Sequence, residues 1–358
     1  MDSTGAKRIE KKYKQFVRRK YIFIILTIVA LIIFFFIALS LGPVNLTYYD
    51  IFQTLIGNGD TTSNAVIFKI RMPRIIAAIL VGVALSVSGA VMQSVLRNPL
   101  GSPYTLGISP AASFGAAFAV IVLGAGSVHS ATADAVILNN PYLVTTSAFI
   151  WCLIGTFTIL IVIKFKGAYP ETMILMGIIV GSLFTAGTTA LEYFANDVQL
   201  ASIIYWTFGN LSKGDWNYVF LLFIIILPLT FYFILNALNY NALDAGDDVA
   251  KSLGVNCRRT RILALIIASL SISVTVAFYG IIAFVGLIVP HLVRRILKTN
   301  DSRFILVSSA TFGGLFLLMA DTLARTIINP LVLPVGVLTS FLGAPMFIYL
   351  LARKKTYV

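Results

Sequence analysis

The chain has 358 residues, 58% of them hydrophobic and 11% charged, with a mean hydropathy of +0.92 and a formal net charge of +13. Soluble domains carry about 25% charged residues, and no water-facing fold of this size could hide so much apolar surface, so lipid is the solvent. The positive charge needs no nucleic-acid partner, because the way basic residues divide across a membrane accounts for it.

A polar, basic leader covers residues 1–20, and an apolar run follows over 21–41. That run is too long for the core of a signal peptide, and no small-residue cleavage site follows it. Gly42-Pro43 ends it, and we read it as a retained first helix. Nine more apolar segments follow, over 74–96, 105–125, 142–163, 172–194, 216–238, 261–279, 281–293, 304–324 and 334–352. A crossing takes about 20 apolar residues, so the reading is all-α: a polytopic membrane protein with ten transmembrane helices in one domain over 21–352. A short tail covers 353–358. The eighth segment is too short to span alone, and Gly280, Gly286 and Pro290 interrupt its region. Broken segments survive at membrane depth only where protein or a water-filled cavity surrounds the backbone, and they often mark a transport pathway.

With the N-terminus inside and ten crossings, 22 of the 27 basic residues fall on the cytoplasmic side. The exceptions are Lys69, Arg71, Arg74, Lys213 and Arg325. Without the short eighth crossing, Arg353, Lys354 and Lys355 would lie outside, so the charge rule supports that crossing too.

The second helix is predicted to open on Arg71-Met72-Pro73-Arg74 at the outer face. Proline suits a first turn, but two cations there oppose the helix dipole by about 0.3–1 kcal/mol each. Together with Arg325 they form a misplaced basic group, which fits either an acidic partner outside or contact with lipid phosphates. Asp321 and Arg325 are spaced to pair within one helix. Glu192 is read as an interfacial group at the outer end of the fifth helix. After the second helix, Arg97-Asn98-Pro99-Leu100-Gly101-Ser102-Pro103 makes a stiff turn on the inner face. The pairs Gly82/Ser86 and Gly177/Gly181 are spaced for close helix approach; Gly209/Lys213 has the same spacing outside the membrane.

Residues 239–261 are a polar island between apolar segments. Asp244, Asp247 and Asp248 stand where acids oppose the positive end of a helix dipole. Gly254 suits a left-handed cap, and Ala250 and Leu253 are spaced to share a face. The island reads as a short helix at the cytoplasmic surface, and both a docking element and a solvated loop fit that description. Cys152 and Cys257 read as a packed and a cytosolic thiol rather than a disulfide. His291, after Pro290, lacks a nearby ligand set, and His129 is the one other histidine. No nucleophile motif, phosphate loop or zinc motif appears, so the chain reads as no enzyme. A membrane enzyme acting on lipid diphosphates would want a second acidic cluster, and a proton-coupled secondary transporter would want midplane carboxylates.

Four stretches in order, over 71–109, 247–261, 280–295 and 320–351, resemble the FecCD family, the permeases of ABC importers for iron–siderophore, haem and cobalamin complexes. The resemblance spans roughly residues 20 to 352. It implies an ABC type II importer permease fold, a homodimer, and two ATP-binding cassette subunits that carry ATP and Mg, with no cofactor bound by this chain. It implies that coupling helices lie at about 239–259, with Asp247, Asp248, Ala250, Leu253 and Gly254 at the ATPase. Arg71, Arg74 and Arg325 match positions that receive glutamates of an extracytoplasmic substrate-binding protein. Asn98, Pro99 and Leu100 match a cytoplasmic gate, and the fifth helix would line the pathway. The turn Lys166-Gly167-Ala168-Tyr169-Pro170-Glu171 has no matching gate residues. The resemblance further implies an iron–siderophore cargo, with cobalamin or haem as the alternatives, and a place in the cytoplasmic membrane.

Overall fold

The computed structural model describes residues 3–42, 44, 46–102, 105–125, 140–328 and 331–352. Pro43, Pro103, His129 and the tail over 353–358 lie outside the described residues. The described residues are almost wholly helical. Ten helices take up the ten apolar segments: α1 (Ser3–Ser40), α4 (Met72–Val95), α5 (Ile108–Ile121), α6 (Pro141–Lys166), α7 (Pro170–Tyr193), α9 (Trp216–Leu235), α12 (Cys257–Tyr279), α13 (Val285–Leu297), α14 (Ser302–Thr326) and α15 (Val335–Ala352). Five shorter ones connect them: α2 (Tyr48–Leu55), α3 (Thr61–Asn64), α8 (Asp197–Thr207), α10 (Ala237–Asp244) and α11 (Asp247–Ser252). Among the described residues, seven helices are long and apolar enough to cross a membrane, whereas α5, α13 and the apolar part of α15 (Val335–Ile348) are shorter. From Ser3 onward the basic leader is continuous with the first apolar run, since both lie in α1.

Side-chain caps set several starts. Thr47 and Asp50 cap α2 reciprocally, as do Asn196 and Gln199 for α8. Asn256 accepts from Arg259 N–H at the start of α12, and Asp301 from Arg303 N–H at the start of α14. Each satisfies a donor that the helix leaves without a partner.

The second crossing begins earlier than the sequence predicts. Asp60 caps α3, and a π-helical stretch over Ala65–Arg71 joins α3 to α4, so the helical run is Thr61–Val95. Arg71 and Arg74 therefore do not stand at a helix N-terminus, and the dipole penalty expected there does not arise. Pro73 is tolerated because the ladder has already shifted to a wider turn, with Met72 N–H reaching Ile67 O.

The core is built around α4, which is buried along most of its length and packs on α14, α12, α13 and α9. Glycine makes the closest approaches possible. A Cβ on Gly89 would overlap the carbonyl oxygen of Gly286 in α13, and one on Gly82 would overlap that of Gly313 in α14. Ser86, one turn from Gly82, donates to Ser309 O at 2.7 Å, so the predicted Gly82/Ser86 pair does face another helix. Gly177 and Gly181 likewise receive the turn at Thr105 and Gly107.

Contacts sort the connections into two ends. At one end Arg71 donates to Leu39 O and Ser40 O, Trp216 Nε1 donates to Phe68 O at 2.7 Å, and Gly336 N–H donates to Gly209 O at 3.3 Å. At the other, Lys20 donates to Thr299 at 3.2 Å, Asn241 to Asp301 at 3.0 Å and Arg258 to Lys164 O at 3.3 Å. These are the groupings that the charge rule made.

Candidate functional site

At the end that carries the polar island, α10 and α11 form two short helices separated by Gly246, whose φ is +118°. Asp247 and Asp248 occupy the first turn of α11, while Asp244 closes α10. Leu253 caps α11, and Gly254 follows in the left-handed region at φ +79°. Val255 N–H reaches back to Ala250 O at 2.9 Å, so the glycine cap is as read from the sequence.

Two assignments on α11 are corrected. Ala250 is 0% exposed and Leu253 67%, so they do not share an outward face. The helix ends at Leu253, which turns into solvent, while Ala250 faces the bundle. Asp247 is engaged within the chain: Arg261 donates to its two carboxylate oxygens at 2.7 and 2.6 Å, and Arg97 Nη1 lies 3.5 Å from Oδ1. The hydrogen bonds from Arg261 hold the Asp247 carboxyl below the usual carboxylate range, against its partial burial. What α11 offers outward is Asp248, Val249, Lys251, Ser252, Leu253 and Gly254. Nearby, Arg303 and Asn241 overcome the burial of Asp301, holding it at about 2.

The turn after α4 is tight. Arg97 has φ +48°, the Asn98 side chain accepts from Leu100 N–H at 2.9 Å, and Gly101 N–H donates to Asn98 O at 2.9 Å. Pro99 is exposed between them. Leu100 lines a cavity of about 540 Å³ together with Ser102, Thr105 and Ser109, residues of α12, the break before α13, and Phe347 of α15. The walls are apolar apart from those three hydroxyl side chains. In the break, Phe284 sits in the left-handed region at φ +67°, a costly conformation for an aromatic residue.

At the opposite end the three arginines do come together, but inside the protein. Arg71, Arg74 and Arg325 are 3%, 7% and 5% exposed, so they are not displayed on the surface as a waiting docking patch. Arg71 is spent on backbone carbonyls at the end of α1, Leu39 O and Ser40 O, and on Val44 O in the α1–α2 connection. Arg74 donates through Nε to both oxygens of Asp321 at 3.0 Å and through Nη2 at 2.7 Å, and also bonds Ser212. Arg325 Nε lies 3.2 Å from Asp321, which is the predicted i,i+4 pair. Arg325 also reaches Thr322 Oγ1 at 3.2 Å and Leu41 O at 3.4 Å. Sequence reasoning missed the Arg74–Asp321 pair and the burial of Arg261. A signal for the latter existed, since Arg261 stands at the first position of an apolar run rather than in the loop before it. Glu192 lies in the last turn of α7, half-buried.

Two polar ends joined by an apolar, cavity-bearing bundle suit vectorial transport rather than bond chemistry. Residues 30–353 match the FecCD transport family. The chain belongs to that family. This FecCD permease is 34% identical over 328 residues to the hemin transport system permease protein HmuU of Yersinia pestis, with 89% of this chain and 93% of that one covered. It is 33% identical over 327 residues to the iron(3+)-hydroxamate import system permease protein FhuG of Bacillus subtilis, covering 91% and 95%. A solved metal-chelate type ABC transporter in an inward-facing conformation superposes with a TM-score of 0.78 at 26% identity, covering 94% of this chain and 100% of that one. The protein is therefore an ABC importer permease, a transport subunit with the helical fold predicted. In this FecCD permease the turn after α4 borders the cavity through Leu100, α11 stands at one end, and the arginine cluster lies at the other.

Proposed function

We propose that this permease carries an iron–siderophore inward across the cytoplasmic membrane, with haem or cobalamin as the alternative cargo of the same family. Two ATP-binding cassette subunits, which carry the ATP and Mg, dock on α10 and α11 from the cytoplasm. A substrate-binding protein docks at the arginine end from outside. A second copy of the chain completes the pathway. The observation that carries this reading is the pair of opposed polar ends with a mainly apolar cavity between them. Such walls suit a bulky chelate that must slip rather than stick. The cargoes named for HmuU and FhuG, hemin and iron(3+)-hydroxamate, support the iron chelate class. The exposed apolar residues Leu175, Ile178 and Leu183 of α7 give the second copy a surface to meet. The buried cluster of Arg71, Arg74 and Arg325 holds three guanidiniums against the one carboxylate of Asp321, a local positive charge that favours an acidic partner over that spot.

Uptake of a siderophore, haem and cobalamin panel by a permease-deletion strain carrying this chain tests the cargo. Restoration of iron–siderophore uptake alone is expected; restoration of cobalamin or haem uptake alone overturns the lead assignment. The docking face has its own test in Leu253→Asp. Leu253 is exposed, so the permease is expected to reach the membrane in normal amount. Placing a charge at the centre of an apolar contact costs about 2 kcal/mol or more, so co-purified ATPase and uptake should both fall by more than about tenfold. Wild-type recovery of the ATPase with full uptake would refute docking at α11.

A further inference from the structure

We propose that Arg261 and Arg97, both held on Asp247, form the link through which movement of α11 reaches the turn after α4, which borders the cavity, and the α6–α7 turn beside it. The proposal rests on the reading of α11 as the ATPase-docking helix. Arg261 is among the most deeply buried large side chains in the molecule. It stands at the start of the second turn of α12, and its guanidinium touches three other elements. Nε donates to Val95 O at 3.3 Å, Nη1 to Ala168 O at 3.2 Å, and the two terminal nitrogens to Asp247 at 2.7 and 2.6 Å. Val95 is the last residue of α4, three before Asn98, so its carbonyl is one that the helix leaves open. Ala168 lies in the α6–α7 turn, the segment for which the sequence offered no gate assignment. Asp247 opens α11.

One rigid planar group thus spans the docking helix, the end of α4 and the turn into α7. A bidentate guanidinium–carboxylate pair fixes orientation as well as distance. It therefore transmits a tilt, which a single point contact would not. Arg97 adds a second strut. Its Nη1 lies 3.5 Å from Asp247 Oδ1, and its left-handed backbone leads straight into Asn98, Pro99 and Leu100. The partner groups around Asp247 are Arg261, Arg97 and, more weakly, Lys251 on its own helix. α11 cannot shift relative to the bundle without pulling on both turns or breaking these bonds. Arg261 and Arg97 are positioning residues: neither needs to touch the cargo.

The test uses the permease co-expressed with its ATPase and reconstituted with the binding protein, comparing wild type, Arg97→Gln, Arg97→Lys and Arg261→Lys. Arg97 is 45% exposed at its side chain, so its variants keep the assay open if the buried site tolerates no change. Four quantities are read: ATPase co-purified, ATP hydrolysed, iron–siderophore transported per ATP, and the ATP-driven displacement of a spin label at Leu100→Cys. For Arg97→Gln and Arg261→Lys, co-purification and hydrolysis are expected to hold. Transport per ATP should fall at least about fivefold, within the range of coupling between linked sites, and the label displacement should shrink. Arg97→Lys, which keeps the charge, should recover most of the loss. Transport per ATP and label displacement that stay at wild-type values would overturn the link. So would losses that merely track the amount of folded complex. Failure of the wild-type permease to hold any ATPase would instead overturn the docking reading, and the link with it.

Discussion

Asp321→Ala is expected to leave little folded permease. Asp321 is fully buried and is the carboxylate on which Arg74 and Arg325 converge. Both guanidiniums are themselves buried, so the alanine variant leaves two charges without their counter-ion in a low-dielectric site. Breaking a buried pair in this way costs about 3–5 kcal/mol, against total stabilities of about 5–15 kcal/mol. The neutral Asp321→Asn retains an acceptor oxygen and is expected to fall between alanine and wild type. Thermal unfolding of the detergent-solubilised protein, followed by size-exclusion chromatography, measures this directly. The exposed Glu10–Lys14 pair is the comparison, since its Glu10→Ala variant should unfold with the wild type. An Asp321→Ala protein with wild-type yield and melting temperature would show that the cluster is not the brace described. The same logic bears on the outer face. Charge reversal at Arg71 or Arg74 strikes the fold as well as any docking, so lost binding by such a variant counts only if the protein still folds.

Gly89→Leu is the second variant with a large expected effect. A Cβ at residue 89 would overlap the Gly286 carbonyl, which belongs to the backbone of α13 and cannot swing aside as a side chain could. The α4–α13 crossing would have to open, and α13 also forms one wall of the cavity through Gly286 and Leu287. Overpacking a close interior costs about 1–3 kcal/mol, and more where backbone opposes the new atoms. The variant is expected to lose both folded yield and transport, with Gly89→Ala milder. Gly254→Ala supplies the contrast. Nothing lies within 4 Å of the added methyl there, and only the φ of +79° opposes it, a cost of about 1–2 kcal/mol. Equal stability of Gly89→Leu and wild type would contradict the packing described around α4.

The apolar segments were legible because a bilayer imposes a length and demands internally satisfied backbone. Each of the ten segments accordingly has a helix at its centre, and among the described residues seven of these helices are long and apolar enough to cross. The Gly254 cap was legible because glycine tolerates the left-handed region that ends α11. The early start of the second crossing was not. Its extension, Ala-Val-Ile-Phe-Lys-Ile-Arg over 65–71, carries two cations and a π-turn that no simple periodicity reports. The Ala250–Leu253 face failed for a related reason: α11 is so short that Leu253 belongs to its cap rather than to its regular surface. Pairings distant in sequence were beyond local reading. Arg74 and Asp321 are 247 positions apart, and nothing in either segment names the other. The arginines could be grouped by side from the charge rule, but their burial depends on how α1, α4 and α14 meet.

The most direct measurement is uptake into proteoliposomes that hold this permease with its ATPase, with the binding protein and an iron–siderophore added outside. The account predicts accumulation that requires both ATP and the binding protein and that persists when the proton gradient is dissipated. Accumulation by the permease alone that collapses with the proton gradient would contradict it.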